Sequence, residues 1–321
     1  MQHLFARLLL TVPFATTACS ARMGDPEGSG GDGPDGAPAA ATPDAGPPAA
    51  DASPVEACTP PQLMIVLDRS GSFARRPDGT LPPNTAAGKK ETRWHIAVHA
   101  VESVAAELET KVQFGLALFP NDPDGAGGHD CSNLDTWLAE YLPPESNDLS
   151  CQPGEVLVTP AYRNGDAIAG AIDRDTTGLC SYTPIGAGLA AAQAELAGMV
   201  ADDIDQYTVL ITDGADTCDG DDGYDTDSLA TADAMAAAGV KTFVVGFDGT
   251  GEDLDPVHLN DLACAGGTAV GFATNCVDAG GGFRAVDAPD PARLYVLATE
   301  GESLEGAIAE IGENICCDCV D

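Results

Sequence analysis

The stretch QLMIVLDRSGS, residues 62–72, decides how this sequence folds. Residues 62–67 form a short run that is continuously apolar after Gln62, which is typical of a strand buried on both faces of a parallel sheet. The run ends at Asp68, and Ser70 and Ser72 follow at alternate positions. One carboxylate and two hydroxyls on a tight loop can converge on one hard cation, because all three offer oxygen ligands. The stretch therefore predicts a buried strand that leads into a candidate cation-binding loop.

Strand-like and helix-like segments alternate along the chain that follows. Short apolar runs lie at 112–119, 155–159, 208–212, 242–247 and 294–298. Helical patterns lie between and after them, at 93–110, 166–172, 184–200, 228–238, 256–263 and 304–315. This alternation predicts βαβ units and hence an α/β fold, with a mainly parallel, doubly wound central sheet and helices on both faces. Ligands of such Rossmann-like sheets sit at the carboxyl ends of the strands, near the point where strand order reverses.

Two further motifs follow the first loop in chain order. Tyr182-Thr183-Pro184-Ile185-Gly186 offers a hydroxyl just before a predicted helix. Val209-Leu210-Ile211-Thr212-Asp213-Gly214 ends a predicted strand with a carboxylate, next to a glycine that permits a sharp turn. Together with Asp68-Arg69-Ser70-Gly71-Ser72, this set resembles the metal-ion-dependent adhesion site of the von Willebrand factor type A (vWA) family. The resemblance covers about 250 residues, from Gln62 to Ile315.

The resemblance implies a ligand set and a class of function. Carried over residue by residue, Ser70, Ser72 and Thr183 supply hydroxyls to a divalent cation, and Asp68 and Asp213 supply carboxylates directly or through water. Mg²⁺ is the expected ion, with Ca²⁺ and Mn²⁺ as alternatives. Largely neutral ligands leave such an ion electrophilic, so an acidic oxygen of a partner can complete its coordination. The insertion at 121–150 and the many cysteines depart from the simplest form of the family.

The N-terminus predicts export. Residues 8–18 are an apolar stretch after Arg7 that closes on small residues, as in a signal peptide, here 1–18. Cys19 follows at once, as in a bacterial lipobox, so we expect lipidation there, with ordinary cleavage near Ala18 as the alternative. Residues 19–57 then read as a lipidated cysteine and a disordered tether rich in Gly, Pro, Ala and Asp, and 58–321 as one vWA domain. We expect an outer-membrane-anchored or cell-surface lipoprotein of the bacterial envelope.

The cysteines predict a disulfide-stabilised domain. Of eleven cysteines, ten remain when Cys19 is set aside, an even number that suits an exported protein. Cys180 and Cys218 flank two predicted metal loops, so we expect them to pair. We also expect Cys264 to pair with Cys276, and Cys58 with one of the three terminal cysteines. A zinc or redox role for Cys316, Cys317 and Cys319 is the alternative, but no histidine lies near them in the sequence.

Charge excludes some functions. The chain has 14 Lys and Arg residues against 51 Asp and Glu residues, for a formal charge of −37. So little basic surface argues against nucleic-acid binding and against docking on anionic lipid, leaving the lipid anchor as the membrane contact. We therefore expect a protein, or an extracellular glycan or matrix component, that offers a carboxylate and is otherwise neutral or basic.

Other candidate sites have ordinary explanations. His95 and His99 are four residues apart on a predicted helix and could share a metal, but no third ligand follows, so packing is favoured. The acidic loop 216–227 could bind a second calcium ion, but it lacks EF-hand spacing and reads as a solvated loop. No catalytic centre is evident, so we expect no enzymatic activity. The alternatives to an adhesion role are a structural envelope protein with a vestigial site and an accessory subunit of an enzyme.

Overall fold

The computed structural model describes residues 59–121, 131–140, 151–175, 177–199, 204–218, 227–250, 253–288 and 291–316. All of them belong to one compact unit, Cys58–Asp321. The expected signal peptide 1–18, the expected lipidation site Cys19 and the tether 19–57 lie outside the described residues, as does Cys58. No helix among the described residues combines the length and hydropathy that a membrane span requires.

Strands and helices alternate as the sequence predicts. Among the described residues the strands are, in chain order, β1 (Gln62–Asp68), β2 (Gln113–Phe119), β3 (Cys131–Ser132), β4 (Glu155–Ala161), β5 (Leu179–Cys180), β6 (Gln206–Thr212), β7 (Lys241–Phe247), β8 (Cys276–Asp278), β9 (Phe283–Ala285) and β10 (Val296–Ala298). The helices are α1 (Ala86–Lys89), α2 (Arg93–Leu108), α3 (Leu134–Glu140), α4 (Gly165–Ala171), α5 (Ile185–Ala197), α6 (Ser228–Ala237), α7 (Pro256–Ala265), α8 (Phe272–Asn275) and α9 (Gly301–Ile315).

Six strands form the central sheet, in the order β10-β7-β6-β1-β2-β4. Every pairing in it is parallel except that of β2 with the edge strand β4. From β1 the chain first builds outward through β2 and β4, and it then returns to add β6, β7 and β10 on the other side. The strand order therefore reverses between β1 and β6, which is where ligands bind in sheets of this kind.

Helices cover both faces of the sheet, so the predicted fold class is confirmed. Alternate residues of β1 enter two separate cores, and all seven residues of the strand are buried. One core packs against α2, α4 and α9, and the other against α5, α6 and α7. Burial on both faces explains why β1 is continuously apolar rather than alternating.

The disulfides correct one prediction. Cys180 pairs with Cys131 and Cys218 pairs with Cys151, so the predicted Cys180–Cys218 bridge is wrong. Cys131 and Cys151 both belong to the segment between β2 and β4, and each lies within bonding distance of a cysteine beside a predicted metal loop. Short strand β3 pairs with β5 and sets Cys131 directly opposite Cys180.

One further disulfide prediction is confirmed, and the other stays a prediction. Cys264 is bonded to Cys276, as predicted. Cys316 is also disulfide-bonded. Its expected partner Cys58, and the neighbouring Cys317 and Cys319, lie outside the described residues.

Candidate metal centre

Two buried carboxylates meet where the strand order reverses. Asp68 is the last residue of β1, and Asp213 directly follows β6, the parallel neighbour of β1. Both side chains are fully buried. A carboxylate loses strong hydration when it is buried, so its position needs compensating hydrogen bonds or a positive charge.

A chain of hydrogen bonds joins the two carboxylates through the serines. The hydroxyl of Ser72 donates to Asp213 Oδ1 at 2.6 Å, and the hydroxyl of Ser70 lies 2.8 Å from that of Ser72. The backbone N–H of Ser70 donates to Asp68 Oδ1 at 2.7 Å. Four of the five predicted ligands thus form one contiguous group.

The fifth predicted ligand, Thr183, lies in a loop that adjoins the other two. Residue Ser70 forms an isolated parallel β-bridge with Cys180, three residues before Thr183. On the other side, the Thr183 hydroxyl lies 3.9 Å from the point where a Cβ atom on Gly214 would stand. The side chain of Thr183 is buried. The structure therefore brings all three motifs to the same end of the sheet.

The Thr183 loop is held in place by its neighbours. The backbone N–H of Thr183 donates to the Thr217 hydroxyl at 2.7 Å, and the Thr217 N–H returns a bond to the Thr183 carbonyl at 3.2 Å. Tyr182 has a left-handed backbone, with φ of 64°. This conformation is unfavourable for a residue with a large side chain, and such conformations concentrate at functional sites.

Arg93 is a member of this centre that the sequence did not reveal. Its guanidinium is fully buried and donates to Asp213 Oδ2 at 2.7 Å and to Asp248 Oδ1 at 2.8 Å. A third carboxylate, Asp253, accepts from the same group at 3.1 Å. Arg93 therefore fixes one oxygen of Asp213 and leaves the other facing Ser72. It also ties the end of β6 to the end of β7.

Thr212 holds the other carboxylate. Its hydroxyl donates to Asp68 Oδ2 at 2.7 Å, and the threonine is fully buried. Together with the bond from the Ser70 N–H, both oxygens of Asp68 are thereby oriented. Asp68 differs from Asp213 in that no Lys or Arg among the described residues pairs with it.

The two carboxyls have raised pKa values for related reasons. Burial raises the pKa of Asp68 to about 8, and the nearby charge of Asp213 adds to the effect. Burial also raises the pKa of Asp213, but only to about 6, since Arg93 and the Ser72 hydroxyl favour its ionised form. The charged form of Asp68 is therefore stabilised less by its surroundings than the charged form of Asp213. A bound cation would stabilise the charged form of Asp68.

The donor set fits a hard divalent cation. Three hydroxyls and two carboxylates are oxygen ligands, which suit Mg²⁺, Ca²⁺ or Mn²⁺ better than a softer metal. No group of three His, Cys, Asp or Glu side chains converges among the described residues, so carboxylates alone do not make a site. The buried carboxylate of Asp68, with no cationic partner among those residues, is the feature that best fits an ion.

The other sequence candidates do not join this centre. His95 Nε2 lies 3.2 Å from Asp175 Oδ1, and burial lowers the pKa of this histidine. His99 instead contacts Arg174, with Nδ1 at 3.4 Å from Nη2. The two rings therefore have different partners, as expected for packing and surface roles.

The acidic loop 216–227 is described only at its ends. Asp216 accepts a hydrogen bond from the Cys218 N–H at 3.1 Å, and Asp227 caps the N-terminus of α6. Its other acidic residues, Asp219, Asp221, Asp222 and Asp225, lie outside the described residues.

A local signal for Arg93 does exist in the sequence. Arg93 is the first residue of α2, after the N-cap Thr92. Helix N-termini favour acidic side chains because the helix dipole is positive there, so an arginine at this position breaks a local rule. Such departures tend to mark functional or strained sites. Thr212 carried no comparable signal, because threonine is an ordinary strand residue.

Comparison with known proteins agrees with this geometry. The model of the von Willebrand factor type A domain matches residues 152–280. A variant of the PilB minor pilin from Streptococcus sanguinis superposes with a TM-score of 0.51 at 16% identity, over 82% of this chain and 63% of that one. The fold is that of a vWA domain. The residues matched by the family model include Thr183 and Asp213. They do not include Asp68, Ser70 and Ser72, so only the structure supports the placement of the first motif.

Two other solved structures match with lower TM-scores. The pilus adhesin SpaC from Lactobacillus rhamnosus GG has a TM-score of 0.46 at 14% identity, over 81% of this chain and 31% of that one. Proximal thread matrix protein 1 from the mussel byssus, with a zinc-occupied MIDAS motif, has a TM-score of 0.45 at 13% identity, over 81% and 48%. This chain thus spans about 63% of the pilin variant and less than half of the other two. No curated protein matches the sequence.

Proposed function

We propose that this domain is a binding module, not an enzyme. Asp68, Ser70, Ser72, Thr183 and Asp213 would hold one divalent cation, Mg²⁺ in the first instance. The observation that carries the proposal is the meeting of all three motifs at the strand-order reversal, around a buried carboxylate with no cationic partner among the described residues. When bound, the cation offers an electrophilic centre to an acidic oxygen of a partner.

Different residues orient the two carboxylates of the site. Thr212 and the Ser70 N–H orient Asp68, and Arg93 orients Asp213 through one oxygen only. The Ser72 hydroxyl donates to the other oxygen of Asp213, so Asp213 would interact with the cation indirectly, through this hydroxyl or through a water. Hydroxyl ligands add no charge, and the site can therefore keep its attraction for an acidic group.

We propose that the partner is a protein, or a glycan or matrix component, at the bacterial surface. The chain's charge of −37 repels an acidic partner everywhere except at the cation. Salt confines that repulsion to about 8–10 Å at ordinary ionic strength. The partner should therefore carry one accessible carboxylate within an otherwise neutral or basic surface. A surface role is consistent with a minor pilin having this fold, and Cys19 would supply the anchor.

Metal titration of matched variants tests the proposal. Thr183→Val and Thr208→Val each replace a buried threonine hydroxyl with a methyl group, but Thr208 lies toward the other end of β6. Isothermal titration with Mg²⁺, Ca²⁺ and Mn²⁺ should show binding to the wild type and to Thr208→Val, and much weaker binding to Thr183→Val. Absence of binding by the wild type would make the site vestigial and favour a structural envelope role.

A further inference from the structure

The segment between β2 and β4 packs directly on the first metal loop. Trp137 in α3 is buried, and its indole N–H donates to the Leu179 carbonyl at 2.8 Å. Its six-membered ring lies against Gly71, which stands between Ser70 and Ser72. A Cβ atom on Gly71 would overlap that ring, whereas the backbone of Gly71 has a negative φ that any residue can adopt. Glycine is needed here because of Trp137.

The same segment is bonded covalently to the other two metal loops. Cys131, beside α3, is bonded to Cys180, the last residue of β5, three residues before Thr183. Cys151, shortly before β4, is bonded to Cys218 in the loop that follows Asp213. The described residues of this segment therefore pack on the first motif and are bonded by disulfides to Cys180, two residues before the second motif, and to Cys218, four residues after the third.

We propose that residues 131–140 together with Cys151, here named the clamp, hold the three metal loops in their binding arrangement before any ion arrives. Trp137 is then a positioning residue that acts on Ser70 and Ser72 through Gly71. The proposal rests on the proposed metal-binding function. Its physical basis is that ordering a loop reduces chain entropy, so a loop that is already ordered binds its ligand more tightly.

The disulfides supply a matched control for this role. Cys264 lies near the end of α7, and Gly266, two residues later, accepts a bond from the Thr242 N–H at 3.0 Å near the start of β7. The Cys264–Cys276 bond is therefore at the amino end of the sheet, away from the metal loops. Removing it tests the general effect of losing a disulfide.

The first experiment measures Mg²⁺ and Mn²⁺ dissociation constants by titration, below the unfolding transition of each variant. The paired variants are Cys131→Ala with Cys180→Ala, Cys151→Ala with Cys218→Ala, and Cys264→Ala with Cys276→Ala. All three pairs should lower the melting temperature. The two double variants that remove a clamp disulfide should also weaken metal binding about 10-fold or more, as loss of groups that orient ligands does. The control double variant, Cys264→Ala with Cys276→Ala, should keep the wild-type dissociation constants.

The second experiment keeps every disulfide and uses Gly71 and Trp137. Gly71→Ala should weaken metal binding, because the added methyl displaces Trp137 or the loop. Trp137→Ala should weaken it about 10- to 100-fold. In the Trp137→Ala background, Gly71→Ala should add little further loss, because the methyl enters space that the indole has left. A double-mutant cycle gives this coupling directly.

The outcomes separate the two proposals. If the wild type binds none of Mg²⁺, Ca²⁺ and Mn²⁺ in the titration that tests the proposed function, that function and the clamp are both overturned. If the wild type binds and the clamp variants bind equally well, the clamp alone is overturned. The clamp is also wrong if the Cys264–Cys276 variant loses as much affinity as the other two pairs, or if Gly71→Ala and Trp137→Ala are independent.

Discussion

The two ends of the central sheet are built from different interactions. At the amino end, buried leucine and methionine side chains of β1 enter the two apolar cores. At the carboxyl end, Asp68, Arg93, Asp213 and Asp248 are also fully buried, but they are charged and held by hydrogen bonds. Apolar burial stabilises the fold directly, whereas buried charges weaken it unless each is paired. The polar arrangement at the carboxyl end therefore stabilises the fold less than an apolar core would, as is common at binding sites.

The largest effect should follow the loss of the charge that holds the carboxyl end together. Arg93→Met leaves Asp213 and Asp248 buried without their guanidinium, and removal of one partner of a buried ion pair costs about 3–5 kcal/mol. Denaturant unfolding with added chelator measures this loss. Arg174→Met is the control, since the Arg174–Glu102 pair is partly exposed and should contribute about 1 kcal/mol or less. Equal losses in the two variants would contradict a structural role for Arg93.

A large but different effect is expected at the amino end. Leu63→Ala removes a fully buried side chain near the start of β1 and should cost about 2–5 kcal/mol. Because Leu63 is distant from the loops along the strand, we expect the Mg²⁺ dissociation constant to stay at its wild-type value. Unfolding and metal titration of the same preparation check both parts. A change in metal affinity parallel to the loss of stability would show that the two ends are coupled.

A smaller effect should come from pH. In the metal-free protein the pKa of Asp68 is raised, so the folded state binds a proton that the unfolded chain has released. Stability should then increase as pH falls from 8 to 6, by up to about 1.4 kcal/mol per pH unit. Asp68→Asn should flatten this dependence. Metal binding should have the opposite trend and weaken as pH falls, because protons compete for the carboxylates. Chemical denaturation at several pH values, with chelator and with Mg²⁺, measures both trends.

The sequence predicted the parts of the site that local patterns encode. Residues 62–72 show both the buried strand and the loop, because a buried parallel strand is continuously apolar and the ligands follow it directly. The parallel pairing of β6 with β1 then brings Asp213 to the same edge, and the bridge between Ser70 and Cys180 brings the Thr183 loop there. The disulfide partners of Cys180 and Cys218 could not be found in this way. They depend on how the segment between β2 and β4 folds back, which is a long-range contact with no periodic signal.

Arg93 and Trp137 illustrate the same limit. Arg93 lies at one end of a helix whose periodicity predicts only a covered face, and its three carboxylate partners are 120 to 160 residues away. Trp137 follows a stretch rich in Gly, Asp and Pro, so a tryptophan there reads as a loop anchor. Its position against Gly71 depends on tertiary packing alone. The proposed ligands thus follow from local motifs, whereas Arg93 and Trp137 acquire their roles through long-range contacts.

The measurement that tests the central claim most directly is thermal unfolding of the protein with Mg²⁺, with Ca²⁺ and with chelator, for the wild type and for Ser72→Ala. Ligand that binds only the folded state stabilises it, by about 2.7 kcal/mol at a hundredfold excess over the dissociation constant. The account predicts a metal-dependent rise in melting temperature for the wild type, and a much smaller rise for Ser72→Ala, each measured against the metal-free melting temperature of the same protein. A wild type that melts at the same temperature with metal and with chelator, or a Ser72→Ala variant that gains as much from metal, would contradict it.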